Sequence, residues 1–142
     1  MASAPQAEAD AAADYCRQHG TDDVLRPIPQ SLLPIVTRLF QLGNMPAKWV
    51  LETTYFRCAD GAVLVCTVGA NLPCGKADTR RSLPAADAWC TAHRGSDFIP
   101  MAVTGHDTIY RWRCDGAKAA AEGPALAVDE RGFIAQLWKR AE

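Results

Sequence analysis

The chain has 142 residues, the size of one ordinary domain, and 49% of them are apolar against 22% charged, which excludes a disordered chain. A formal net charge of −1 excludes the broadly basic face that nucleic acid demands and offers no attraction to an anionic membrane surface. Six cysteines point to an oxidising compartment, and no apolar run approaches the ~18 residues of a membrane-spanning helix.

Met1 is followed by ASAPQAEADAAAD, which has no apolar core of the signal-peptide kind. The expectation is that Met1 replaces a removed signal peptide. Residues 1–9 read as a flexible tail and residues 10–142 as a single disulfide-stapled domain. Alanine-rich residues from about Asp10 to His19 predict a helix, closed by Gly20. Residues 21–30 carry two prolines and read as loop. Leu32, Ile35, Val36, Leu39, Phe40 and Leu42 recur at helical spacing, so a second helix is expected over 32–42.

The β-branched and aromatic run 49–58 then predicts a strand, turned by Asp60-Gly61 into Val63-Leu64-Val65. Asp-Gly suits a type I′ turn, in which both central residues need positive φ. That two-residue turn sets Cys58 opposite Val63, Phe56 opposite Val65 and Thr54 opposite Thr67. Alternation places Cys58 and Cys66 on opposite faces, so they do not bond each other. A third helix is expected from Ser82 or Leu83 to about His93, and a strand over Thr108–Cys114, turned by Asp115-Gly116. Residues 117–122 read as its return strand, although Ala119–Ala121 would as readily be helical. A last hairpin is expected around Glu130-Arg131-Gly132.

The order helix-with-cysteine, then strand-with-cysteine-and-Asp-Gly, occurs twice. AADYCRQHG corresponds to AADAWCTAHRG, and YFRCADG to RWRCDG. Of the pairings open to six cysteines, the repeat favours Cys16–Cys58 and Cys90–Cys114, each joining a helix to the sheet. Cys66–Cys74 remains. The expected fold is α+β: an antiparallel sheet of about six short strands with two or three helices on one face.

If the strands ending near Val68 and beginning near Thr108 share an edge, loops 69–81 and 100–107 lie at one end of the sheet. That would gather Asn71, Lys76, Asp78, Thr104, His106 and Asp107 as a ligand- or partner-binding site. The competing reading makes these loops structural, since turns require glycine and polar residues anyway. His106-Asp107 invites a hydrolase, but adjacent residues rarely make the carboxylate–imidazole contact and no serine or free thiol is placed as nucleophile. Cys16-x-x-His19 and Cys90-x-x-His93 offer a Cys₂His₂ zinc set, but these cysteines have disulfide partners in the preferred pairing. No metal is therefore expected. Haem attachment and phosphate-loop motifs are absent, so no cofactor is expected.

At CADGAVLVCTVGANLPCGKADT and VTGHDTIYRWRCDG, and on through GPALAVDERGFIAQLW, the chain resembles a family of small cysteine-containing exported alphaproteobacterial proteins. The resemblance implies a periplasmic domain and implies no activity. The strand–Asp-Gly–strand pattern also resembles periplasmic lysozyme inhibitors, small disulfide-bonded β-barrels, from which the helices here depart. The preferred function is a periplasmic or secreted, non-enzymatic binding or accessory module acting through loops 69–81 and 100–107. Its partner is an unknown protein or small molecule, with no nucleic acid and no membrane insertion. The alternatives are a small hydrolase using His106, or an inhibitor of a secreted enzyme such as lysozyme.

Overall fold

Alanine sets the first element. In the computed structural model, which describes residues 4–68 and 74–142 with side chains from residue 11 onward, α1 spans Ala4–His19. It begins before Asp10, where the helix was expected to start. Gly20 ends it at φ +68, a left-handed conformation that costs glycine little, and its amide donates to the Cys16 carbonyl at 2.8 Å.

Residues 21–30 are not all loop. Asp22–Pro27 form β1, an edge strand, where a proline without an N–H does no harm. A 3₁₀ turn at Gln30–Leu32 leads into α2 (Leu33–Leu39), which is shorter than the expected helix over 32–42. The first half of the expected strand 49–58 is also helical, as α3 (Ala47–Thr53). Pro46 is extended at its N-cap, and the Thr53 hydroxyl donates back to the Trp49 carbonyl at 2.7 Å. Strand propensity in Trp49, Val50 and Thr53 yields to this local pattern, because it depends strongly on context.

The hairpin then forms in the expected register. β2 (Thr54–Ala59) and β3 (Ala62–Thr67) pair antiparallel with Thr54 opposite Thr67, Phe56 opposite Val65 and Cys58 opposite Val63. Asp60 and Gly61 both have positive φ, 51° and 81°. The expected third helix is α4 (Pro84–Ala92), followed by the short α5 (Met101–Thr104). β4 (Arg111–Asp115) and β5 (Lys118–Glu122) form the second hairpin, so Ala119–Ala121 are strand. The expected last hairpin shrinks to one bridge, Val128 to Ile134. There the Asp129 carboxylate takes the amides of Arg131 (2.8 Å) and Phe133 (3.0 Å) and curls the chain. β6 (Lys139–Arg140) pairs instead with β3.

The fold is α+β, with its strands divided between an antiparallel sheet in the order β1-β2-β3-β6 and the separate pair β4-β5, rather than joined in one sheet. The chain falls into two compact units, Met1–Gly69 with Leu137–Glu142 and Ala70–Gln136. The first is built on buried Cys16, Val36, Val50, Cys58 and Val65. The second is built on Leu83, Ala86, Cys90, Ile99, Trp112 and Cys114.

The repeat exists as geometry. Cys16 of α1 bonds Cys58 of β2, and Cys90 of α4 bonds Cys114 of β4. Cys66 and Cys74 are disulfide-bonded as well, and no cysteine is free. In each helix the residue before the cysteine is aromatic, and a histidine four residues on stacks against it: Tyr15–His19 and Trp89–His93, each with ring centroids 3.9 Å apart. Each histidine donates Nδ1–H to that aromatic residue's carbonyl, at 2.9 and 3.0 Å. Gly20-Thr21-Asp22 then corresponds to Gly95-Ser96-Asp97. In both units a buried isoleucine precedes an extended proline that opens a short helix, Ile28-Pro29 and Ile99-Pro100.

Candidate functional site

Among the described residues, Asp78 of the first expected loop runs beside Asp107 of the second. The Asp78 amide donates to the Asp107 carbonyl at 2.7 Å, the Ile109 amide donates to the Asp78 carbonyl at 3.3 Å, and Asp78 and Thr108 form a parallel bridge. Lys76 pairs with Phe133. Asn71 lies outside the described residues.

The side chains do not converge as one constellation. The Asp78 carboxylate is held by Arg80, from Nε at 3.0 Å, Nη2 at 2.7 Å and the amide at 3.0 Å. These bonds from Arg80 hold its carboxyl below the ordinary value and raise the Arg80 guanidinium. Lys76 places Nζ 5.6 Å from the Phe133 ring centroid. Thr104 is buried and its hydroxyl donates to the Gly105 carbonyl at 3.2 Å. His106 and Asp107 are exposed. Among the described residues the His106 ring makes no hydrogen bond or ion pair, so no carboxylate orients it as a general base.

The better-formed feature borders the loop 100–107. Residues 96–99 run along β4, with the Cys114 amide donating to the Ser96 carbonyl (2.8 Å) and the Ile99 amide to the Trp112 carbonyl (3.1 Å). Side chains alternate along such a segment. Ile99 is buried, while Phe98 is 66% exposed. The Ser96 hydroxyl fixes this turn by donating to the Phe98 carbonyl at 2.8 Å. Beside it lies a cleft of about 300 Å³, walled by Phe98, Met101, Tyr110 and Trp112, floored in part by Thr104 and Thr108, and rimmed by Asp97, Arg111 and Glu122. Trp112 is held by its indole N–H donating to Thr108 Oγ1 at 2.9 Å. Tyr110 meets it edge-on at 6.4 Å.

No family model, curated protein or solved structure matches the chain.

The first unit has a polar knot that the sequence reading missed. The Asp22 carboxylate accepts from the Tyr15 hydroxyl in a short hydrogen bond, from the Val24 amide at 3.0 Å and from Arg26 Nη2 at 3.1 Å. Arg26 also donates to the Tyr15 oxygen at 2.7 Å, and its guanidinium carbon lies 4.8 Å from the Tyr15 ring centroid. The Tyr15 bond first, then those from Val24 and Arg26, lowers the Asp22 carboxyl to about 2. The same carboxylate raises the Tyr15 phenol. Reading β1 as loop hid this cluster, because it placed Asp22 and Arg26 on no common element with Tyr15.

The disulfides also settle the role of Cys16 and Cys90, which hold no thiolate for a metal. Among the described residues, no helix is long and apolar enough to cross a membrane.

Proposed function

We propose that the chain is a non-enzymatic binding or accessory module of an oxidising compartment, periplasmic or secreted, that engages its partner through the second unit. The contact surface is the cleft bordered by loop 100–107, with loop 69–81 beside it. One observation carries this reading: Phe98 and Met101, 66% and 41% exposed, stand at a cleft whose Trp112 wall is held by a hydrogen bond to Thr108. Large apolar side chains gathered at a cleft are the usual mark of a binding surface. The three disulfides support the compartment, since cytosolic chains rarely keep them.

The test is capture from periplasmic extract with the intact protein and with a Phe98→Ser/Met101→Ser variant. Both residues are exposed, so the variant keeps its fold. A protein held by the wild type and released by the variant supports the reading. Equal capture by both overturns it.

A further inference from the structure

We infer that the cleft beside Asp97 receives a guanidinium group, presented as an arginine side chain by a polypeptide partner. The inference rests on the binding reading above and specifies its chemistry. The molecule supplies its own template. Asp22 and Asp97 occupy matching places, two residues after the glycine that follows the cysteine-bearing helix and within the segment that pairs with the next cysteine strand.

In the first unit, residues 23–27 intervene between that aspartate and the buried isoleucine, and Arg26 among them turns back onto Asp22 at 3.1 Å, with its guanidinium over the Tyr15 ring. In the second unit only Phe98 intervenes, so Arg26 has no counterpart in that segment; the guanidinium of Arg81 lies over the Tyr110 ring, 4.7 Å from its centroid, which leaves Phe98 and Trp112 as the faces beside Asp97. The aromatic residue matching Tyr15 is Trp89, which has no hydroxyl to donate. Among the described residues, the Asp97 carboxylate makes no hydrogen bond or ion pair. One copy of the module thus fills its aspartate with an internal guanidinium. The other leaves the carboxylate at the rim of a cleft walled by Phe98, Tyr110 and Trp112.

A carboxylate beside aromatic faces suits arginine better than lysine, because a planar guanidinium can both bond the acid and stack on a ring. Two other charges in the rim shape the choice. Glu122 is engaged by Arg113 at 3.1 Å, and Arg111 is exposed in the same lining. Arg111 disfavours a strongly basic ligand, so the expected segment carries one arginine flanked by neutral apolar residues that meet Phe98 and Met101.

The probe is acetyl-Leu-Arg-Leu-amide, titrated into the full chain by NMR, against the same peptide with citrulline, which keeps the shape and lacks the charge. The expected result is a set of shift changes at Asp97, Phe98 and the Trp112 indole, with citrulline binding at least tenfold more weakly. Asp97→Asn should weaken the arginine peptide to the citrulline level and leave the citrulline peptide unchanged, the pattern of a direct coupling. Equal affinity for both peptides overturns the inference, as does an arginine peptide indifferent to Asp97→Asn, or the absence of shifts at these residues. The capture experiment with the Phe98/Met101 variant decides the binding reading separately, because it does not depend on Asp97.

Discussion

The amide of Gly61, at the tip of the first hairpin, donates to the carbonyl of Gly20, at the end of α1, across 2.8 Å. The second unit makes the same join with the roles exchanged: the Gly95 amide donates to the Gly116 carbonyl at 3.0 Å. Each hairpin is therefore tied to its helix twice, by a disulfide and by a bond between two glycines. At Gly61 an added Cβ would meet nothing within 4 Å, but φ is +81°. Gly61→Ala should therefore cost ~1 kcal/mol from backbone conformation alone. Urea unfolding checks this; a variant as stable as the wild type would show that the turn relaxes freely.

The helix-to-strand disulfides should rank by the chain they enclose. Cys16–Cys58 spans 42 residues and Cys90–Cys114 spans 24. On the chain-entropy estimate their removal as paired alanine variants costs ~4 and ~3.5 kcal/mol. Against a typical total of ~5–15 kcal/mol, either loss leaves a marginal protein. Calorimetry of both double variants measures the loss, and a loss below ~1 kcal/mol in either would contradict the estimate.

The Tyr15–Asp22–Arg26 knot predicts an acid sensitivity with a defined sign. The Asp22 carboxyl falls from an ordinary 3.8 to about 2 in the folded chain. Its contribution to stability is complete above the ordinary value and is lost as pH falls from about 4 toward 2. Asp22→Asn should lower the melting temperature at neutral pH and flatten its fall across that window. Parallel melting curves against pH for the two proteins would remove the knot from the account.

Lys76→Ala and His106→Ala change exposed side chains and should each shift stability by less than ~0.5 kcal/mol. If loop 69–81 or 100–107 meets the partner, the same variants reduce its capture. A large stability loss for His106→Ala would mean that the imidazole is structural.

Much of the scaffold was legible in the residues, and for identifiable reasons. Asp60-Gly61 admits one tight turn, so the register of β2 on β3 followed from it. The repeated cysteine pattern identified both helix-to-strand bonds. What escaped was set by distant or competing contacts. β1 reads DDVLRP, and only pairing with β2 makes it a strand. Arg57 looks like an outward-facing charge, but it is 1% exposed, with its guanidinium carbon 4.5 Å from the ring centroid of Trp138 far along the chain. Composition could not show that Asp78, whose amide bonds the Asp107 carbonyl, has its carboxylate engaged by Arg80. Nor could it distinguish Asp22 from Asp97: the difference lies in the few residues that follow each, which carry an arginine in one unit and leave it out in the other.

β6 has a consequence for biosynthesis. Its two residues, Lys139 and Arg140, complete the sheet beside Leu64 and Val65 of β3, yet they leave the ribosome only after the entire second unit has been made. A chain that folds as it emerges therefore spends that interval with one edge of β3 bare, an invitation to pair with a neighbouring chain. Both cysteines of the Cys16–Cys58 bond precede that segment, so in an oxidising compartment the bond can lock the first unit whether or not its sheet is closed. Premature termination after Gln136 would make the interval permanent, giving a chain with correct helix-to-strand disulfides and a lasting tendency to aggregate.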